Sequence, residues 1–214
     1  MNNHFFQPKK LHLALVAGAV AVFAAAPSAE AAVVFVDRSA SPINITNNID
    51  GVYFNVVTGV TSATGAGTPG WDINPYNNGA GLTFYGAATP SGVLATGTPG
   101  TGAIATALSF GALISAAGQY NQFQTVGTQF QTAGNRYLGF RFLNETTAAT
   151  NYGWLLVSSG ATAGFPAAIT AYGYENAGAS ITAGAVPEPS TYAMFGLALA
   201  VAAGWRGLKG RRAA

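Results

Sequence analysis

Residues 136–158 read RYLGFRFLNETTAATNYGWLLVS, and this stretch carries the strongest secondary-structure signal in the chain. Successive side chains of a strand point to opposite faces, so alternation over 136–143 predicts a half-buried strand. Its apolar face consists of Leu138, Phe140 and Phe142. A second strand is predicted over 152–158, where Tyr152, Trp154 and Leu156 share a face. The polar segment 144–151 joins the two strands.

The flanking sequence predicts more short strands of the same kind. Gly and Thr/Ser clusters interrupt apolar segments about every ten residues, a spacing typical of β-sandwiches and barrels. Helical periodicity is not sustained anywhere, and the 23 glycines between residues 32 and 185 oppose helix. The other predicted strands are 33–36, 43–46, 52–57, 82–85, 122–126 and 168–174. We therefore predict an all-β fold, a single antiparallel β-sandwich (jelly-roll-like) domain over residues 32–185.

Two stretches of low complexity, 58–70 and 86–102, are predicted to be loops that connect strands. Each contains the sequence GTPG, at 67–70 and at 97–100. Pro followed by Gly at the two central positions favours a type II turn. The segment 104–117 is the one candidate for a short helix, and its Thr, Ser and Gly content argues against that.

Charge is scarce and unevenly distributed. Only 7% of the residues are charged, whereas about 25% is usual for soluble domains. Most of the basic residues lie near the two ends, and residues 32–185 hold three basic and five acidic side chains. A body without a cationic surface does not attract phosphates, so we exclude nucleic-acid binding.

The residues that usually perform catalysis are also missing from the body. The chain has no Cys, and its two histidines are His4 and His12. A nucleophile activated by His and a zinc site built from His and Cys are therefore excluded from residues 32–185. We expect no enzyme activity, no cofactor and no metal. The segment that begins at Asp72 starts like a calcium loop but lacks the required Gly and the final Glu.

The first 31 residues have the pattern of a secretory signal peptide. Lys9 and Lys10 precede an uncharged, mostly apolar segment of 13 residues, 11–23. Ala29 and Ala31 supply the small side chains that signal peptidase reads, which predicts cleavage after Ala31. Thirteen residues are too few to span about 30 Å of hydrocarbon.

The C-terminal segment 186–214 has three parts. Pro187, Glu188 and Pro189 come first, and proline keeps such a stretch extended and open to a protease. An uncharged run follows, which predicts a transmembrane helix over about 190–205. Basic residues end the segment: Arg206, Lys209, Arg211 and Arg212. Positive charge favours the cytoplasmic side, so the predicted arrangement has the body outside and the tail inside.

In this order and at this distance from the C-terminus, the three parts resemble the PEP-CTERM sorting signal. The resemblance implies recognition by exosortase, an inner-membrane protease of Gram-negative bacteria that make exopolysaccharide. It also implies that the body is anchored only transiently and is then placed at the cell surface or outside the cell. Tyr137–Phe142, Asn151–Trp154, Ala171–Asn176 and Ile181–Gly184 are similar to "GFRF…YGW…AYE…I.AG" in β-sandwich bodies of such proteins, although this chain has AYGYE where AYE is usual.

Several hypotheses remain open from the sequence. The tail could be an ordinary single-pass anchor. The body could be a non-catalytic structural protein of the cell surface or of an exopolysaccharide matrix, which we favour. Alternatively it could bind carbohydrate, with Asp50 or Asp72 bonding sugar hydroxyls and these aromatic side chains stacking on the rings: Trp154, Tyr152, Tyr137 and Tyr172. A glycosidase that uses two of the five carboxylates is a third alternative. For the eleven aromatic residues between Tyr120 and Tyr174, burial in the core is the simpler interpretation.

Overall fold

A computed structural model describes residues 32–100 and 102–187 of the chain. In this part the chain forms sixteen β-strands and one turn of 3-10 helix, so the all-β prediction is confirmed. The strands are β1 (Val33–Asp37), β2 (Ile43–Ile45), β3 (Tyr53–Phe54), β4 (Thr61–Ser62), β5 (Ile73–Asn77), β6 (Leu82–Gly86), β7 (Gly92–Thr96), β8 (Ile104–Ala105), β9 (Ala107–Leu108), β10 (Leu113–Ile114), β11 (Tyr120–Asn121), β12 (Thr125–Val126), β13 (Gly134–Asn144), β14 (Ala149–Gly160), β15 (Gly164–Glu175) and β16 (Ile181–Thr182). The 3-10 turn spans Thr128–Phe130.

Fourteen of the strands belong to one continuous, strongly curled sheet. Its main path is β1-β15-β14-β13-β7-β8-β12-β6-β5-β3-β4, and β2, β9 and β11 pair at its sides. Strand β7 pairs with β13 in one half of the sheet and with β8 in the other. The structure therefore differs from a sandwich of two separate sheets, because β7 carries the hydrogen bonding from one half to the other. One pairing, β8 with β12, is parallel.

The hairpin of β13 and β14 has the faces that the sequence predicts. The two strands pair without a shift from Gly134–Ser159 to Asn144–Ala149, which leaves 145–148 as the loop. The predicted loop 144–151 was therefore too long, since both strands continue into it. Leu138, Phe140 and Phe142 are at most 1% exposed and lie in the main core.

The main core lies inside the curl, between the two halves of the sheet. The Phe54 ring of β3 meets the Tyr172 ring of β15 at 4.9 Å between centroids, with an interplanar angle of 77°. The Phe84 ring of β6 packs edge-on against Phe130 at 5.1 Å. Burying each such ring stabilises the fold by about 2 to 3 kcal/mol, so these contacts hold the curled sheet closed.

A second, smaller core lies on the opposite face of β13, β14 and β15. Trp154 and Tyr152 are buried there, and Tyr137 packs at its margin. The two-stranded ribbon of β10 and β16 covers them with Ile114 and Ile181, which are 0% and 4% exposed. The same three strands therefore pack against apolar side chains on both faces. Tyr152, Trp154 and Leu156 lie on the face toward the second core.

Several of the predicted segments differ from the structure. The predicted strands 52–57 and 122–126 are reduced to two residues each, at β3 and β12. The segment 104–117 contains short strands and no helix. The predicted loop 86–102 contains β7, which joins the two halves of the sheet. The first GTPG turn is confirmed as a turn: the Trp71 N–H donates to the Thr68 carbonyl at 3.1 Å, and Gly70 has φ of +65°.

Candidate functional site

The aromatic residues predicted to contact sugar do not form one exposed surface. Trp154, Tyr152 and Tyr172 are only 2%, 8% and 5% exposed. Tyr172 lies in the main core, on the opposite face of the sheet from the other three. The prediction that these four side chains form a stacking platform is therefore wrong. The burial of three of them agrees with the simpler interpretation that they belong to the core.

Trp154 has the surroundings of a structural residue. Its indole packs edge-on against the Tyr137 ring at 5.4 Å and lies 5.9 Å from the Phe35 ring. The cross-strand neighbour is Gly173, and a Cβ there would lie 3.0 Å from the indole ring. The absence of a side chain at Gly173 thus makes the space that Trp154 fills.

An open groove lies elsewhere, where the β13–β14 loop meets the segments that flank β3 and β5. Asn55, the residue after β3, organises this region with its side-chain amide. Its Nδ2 donates to the carbonyl oxygens of Pro69 and Gly70 at 3.0 and 2.9 Å, and to Glu145 Oε1 at 3.0 Å. Its Oδ1 accepts from the N–H groups of Val57 and Thr58 at 3.0 and 2.9 Å. One buried amide therefore holds three loops together.

Gly70 and Glu145 form the ridge of this region. The Glu145 carboxylate lies directly over the Cα of Gly70, where any Cβ would overlap Oε1. Because φ of Gly70 is also +65°, an L side chain is disfavoured twice at this position. The ridge separates two shallow grooves, both of which include Gly70 and Glu145 in their lining.

The first groove, here called the Trp71 groove, has a volume of about 180 Å³. Its polar and aromatic lining consists of Trp71, Asp72, Thr89, Ser91 and Glu145. The Trp71 ring is half-buried and is held edge-on by the Tyr53 ring at 5.0 Å. The second groove, of about 330 Å³, lies on the other side of Glu145 and includes Asn55 and Thr58.

Asp72 is the most perturbed acid in the described part of the chain. It is 3% exposed, and burial raises the pKa of its carboxyl from 3.8 to about 8. The N–H of Val56 donates to Oδ2 at 2.8 Å and opposes the rise in pKa, whereas the negative charge of Glu145 adds to it. Asp72 therefore carries a proton at neutral pH and can donate a hydrogen bond to a ligand in the Trp71 groove.

Asp72 was predicted from the sequence as a possible sugar ligand, but the rest of this site was not. Trp71 follows the GTPG turn at once, and Glu145 lies in the loop of the strongest predicted hairpin. Both positions can be recognised in the sequence, but nothing in the sequence shows that the two side chains line one groove. Asp50 lies outside the groove, where its backbone carbonyl accepts from Asn74 Nδ2 at 2.8 Å. Among the described residues, no three His, Cys, Asp or Glu side chains come together as a metal site.

The comparisons with known proteins concern the other end of the chain. The family model described as the PEP-CTERM protein-sorting motif matches residues 185–212. The chain carries a PEP-CTERM sorting motif. This confirms the family resemblance seen in the sequence, and it implies an exported protein that exosortase targets. No curated protein and no solved structure matches the chain.

The PEP-CTERM motif begins where the folded body ends. Ala183, which follows β16, is fully buried, and the Ala185 N–H closes a turn onto the Thr182 carbonyl at 3.0 Å. Val186 and Pro187 are exposed. The match therefore begins at the C-terminal end of the folded body.

Other predicted features lie outside the described residues. These are the signal peptide with Ala29 and Ala31, the motif residues Glu188 and Pro189, the helix 190–205, and the basic residues Arg206, Lys209, Arg211 and Arg212. In residues 32–100 and 102–187, none of the helical structure is long and apolar enough to cross a membrane.

Proposed function

We propose that this protein is a non-catalytic structural component of the cell surface or extracellular matrix, associated with exopolysaccharide. In this proposal signal peptidase removes residues 1–31, the tail anchors the body to the inner membrane, and exosortase cuts near Pro187. One observation supports the processing step: the PEP-CTERM match starts at residue 185, directly after the last buried residue of the body, Gly184. Cutting there separates the tail without disturbing the core.

The processing step predicts a change in mass that depends on the motif. In cells with exosortase, the mature protein should lack the residues after about Pro187. Glu188→Gln should leave most of the protein with its tail, because it removes the only acid between Glu175 and the C-terminus. Intact-mass spectrometry of the exported fraction measures both. Asp50→Asn, which alters an exposed acid of the body, is the matched control and should be processed normally. Equal tail removal in cells without exosortase would contradict the proposal.

The Trp71 groove supports a second candidate function, binding of a saccharide. A half-exposed indole beside a protonated carboxyl, a carboxylate and two hydroxyl side chains offers one apolar face and several hydrogen-bonding groups. Such a combination of an apolar wall with a few polar groups is typical of binding sites. The ligand would be a neutral polysaccharide, since the groove itself contains no basic residue.

A pull-down of purified protein with the host's exopolysaccharide tests this candidate. We expect Trp71→Ala to weaken binding by about tenfold or more, the factor that corresponds to about 1.4 kcal/mol. Phe123→Ala removes an aromatic ring that is 50% exposed and does not line the Trp71 groove, and it should bind normally. Equal binding by the two variants would contradict a role of the groove. Release of reducing ends during the assay would indicate hydrolysis and contradict the non-catalytic proposal.

A further inference from the structure

Large apolar side chains are exposed near the C-terminal end of the folded body. Phe110 and Leu113 are 75% and 63% exposed, and Val186 is 51% exposed. Leu113 is the first residue of β10, and Phe110 lies three residues before it in the chain. Single exposed apolar residues are ordinary, but these three occur together on one small structural unit.

Backbone hydrogen bonds fix this unit next to the exit of the chain. The Gly111 N–H donates to the Ala183 carbonyl at 2.9 Å, and the Ala183 N–H donates to the Ala112 carbonyl at 2.8 Å. Leu113 pairs with Thr182, and both are exposed. The Phe110 ring lies over Gly184, where a Cβ would be 2.6 Å from it. We call Phe110, Leu113 and Val186 the exit face.

The inner side of the same ribbon is occupied. Ile114 and Ile181 point into the second core with Trp154, as the alternation of a strand requires. The Phe110 ring also packs against Tyr137 at 6.3 Å between centroids. Phe110 is therefore held by Tyr137 and Gly184, and Leu113 is directed outward because the inward position of its strand is filled by Ile114.

The stretches of sequence that form the exit face carry no charge. Residues 73–135 and 176–187, which include both strands of the ribbon, contain no Asp, Glu, Lys or Arg. Charged side chains make up about a quarter of the residues of a typical soluble domain, and most of them face water. An uncharged face with Phe and Leu outward is suited to an apolar or interfacial surface instead.

The length of the following chain limits how far this face can be from a bilayer. The uncharged run begins at Pro189, and its predicted helix begins at about residue 190. Three residues from Pro187 to Ser190 span at most about 10 Å when fully extended. The headgroup layer on one side of a bilayer is roughly 5 to 8 Å thick. While the tail is inserted, Val186 and Pro187 are therefore held at the headgroups, and the ribbon that carries Phe110 and Leu113 is hydrogen-bonded to the chain directly before them.

We propose that the exit face docks on the outer surface of the inner membrane while the tail is inserted. This rests on the proposed function, in which the PEP-CTERM tail anchors the body. Phe110 and Leu113 enter the boundary between headgroups and acyl chains, to the depth of about 5 to 10 Å that apolar interfacial side chains reach. Docking fixes the orientation of the body and holds the motif at 187–189 at the membrane surface. Removal of the tail then frees the face from the membrane.

Depth-dependent fluorescence quenching tests this docking in the full chain. The protein has no native cysteine, so single variants Phe110→Cys, Leu113→Cys and Phe123→Cys can each carry one environment-sensitive dye. Phe123 is 50% exposed on a loop outside the ribbon and serves as the matched control. Each labelled chain is reconstituted in phosphatidylethanolamine–phosphatidylglycerol vesicles that contain lipid brominated near the top of its acyl chains.

We expect the dyes at 110 and 113 to be quenched at least about twofold more than the dye at 123, since only they reach the acyl boundary. Leu113→Cys does not depend on the contact with Tyr137, so it keeps the test valid if Phe110→Cys perturbs the ribbon. Flotation of the same vesicles reports whether the tail is inserted. Floating protein with equal quenching at all three positions overturns the docking and leaves the anchor intact. Protein that fails to float overturns the anchor and the docking together.

Discussion

Raising the pH from about 4 to about 8 should destabilise this protein, and Asp72→Asn should remove most of that loss. The pKa of Asp72 is about 8 in the folded protein and 3.8 as a free side chain. Well below pH 4 both states hold the proton, so Asp72 adds no pH dependence to stability there. Above that pH the unfolded chain releases the proton while the folded protein retains it. The free energy of unfolding therefore falls by up to about 1.4 kcal/mol for each pH unit, until the folded carboxyl also ionises.

The expected loss amounts to on the order of 4 kcal/mol, a large part of the stability of a typical domain. Urea unfolding of purified protein at a series of pH values, followed by tryptophan fluorescence, measures it. Asp72→Asn keeps an oxygen that can accept from the Val56 N–H and has no proton to lose. It should match the wild type near pH 4 and exceed it at pH 8. Glu145→Gln should reduce the total loss, since without the charge of Glu145 the folded Asp72 carboxyl ionises at a lower pH.

Asp37→Asn is a matched control for this prediction, because the pKa of Asp37 is shifted in the opposite direction. Asp37 is fully exposed, and hydrogen bonds from Ser39 lower the pKa of its carboxyl. A lowered pKa contributes stability that is present above the unfolded value and is lost as the pH falls. Asp37→Asn should therefore leave the loss between pH 4 and 8 unchanged. If the free energy of unfolding of Asp72→Asn has the same pH dependence as that of the wild type, the conclusion that Asp72 is protonated at neutral pH is wrong.

Gly51→Ala should cause a large loss of stability, because Gly51 is a buried turn residue with no room for a side chain. Gly51 has φ of +58°, and a Cβ there would overlap the carbonyl oxygen of Pro75 and lie 2.5 Å from Tyr76 Cβ. These obstacles belong mainly to the backbone of β5, which cannot move aside. The turn is also tightly fixed, because the Val52 N–H donates to the same Pro75 oxygen at 3.0 Å.

We expect Gly51→Ala to lower the free energy of unfolding by about 3 to 5 kcal/mol, combining left-handed strain of about 1 to 2 kcal/mol with the overlap. Gly79→Ala is the matched control. Gly79 also has positive φ, at +93°, but nothing lies within 4 Å of the position of its Cβ. It should cost only the backbone strain. Urea midpoints of the two variants and the wild type give the comparison, and equal losses would show that the overlap with β5 is absent.

The strands found from the sequence are those in which burial alternates over many residues. β13, β14 and β15 have 11 to 12 residues each, so the pattern repeats often enough to be recognised. β5 was missed because Pro75 interrupts it, and proline normally excludes a central strand. Strand β7 was missed because it lies in a stretch of Gly, Thr and Ala that also suits a loop. Two-residue strands such as β10 and β16 have no periodicity that a sequence could show.

The candidate site, like the strands, was predicted from the sequence only in part. Asp72 was predicted from the sequence to bond sugar hydroxyls, whereas three of the four aromatic residues predicted to contact sugar are buried: Tyr152, Trp154 and Tyr172. Half-exposed Trp71 has the same local features as a buried tryptophan. Only the fold shows which side of each ring remains open.

The sequence by itself determined the all-β class, the faces of β13 and β14, and the sorting motif at 185–212. Each of these is written in consecutive residues, as an alternation or as an ordered run of proline, apolar and basic side chains. The tertiary structure decided that β7 joins two halves into one curled sheet, that Trp154 is structural, and that Asp72 and Glu145 line one groove. These properties depend on contacts between residues far apart in the chain, such as Asn55 with Glu145. Burial, and with it the pKa of Asp72, exists only after those distant segments have packed together.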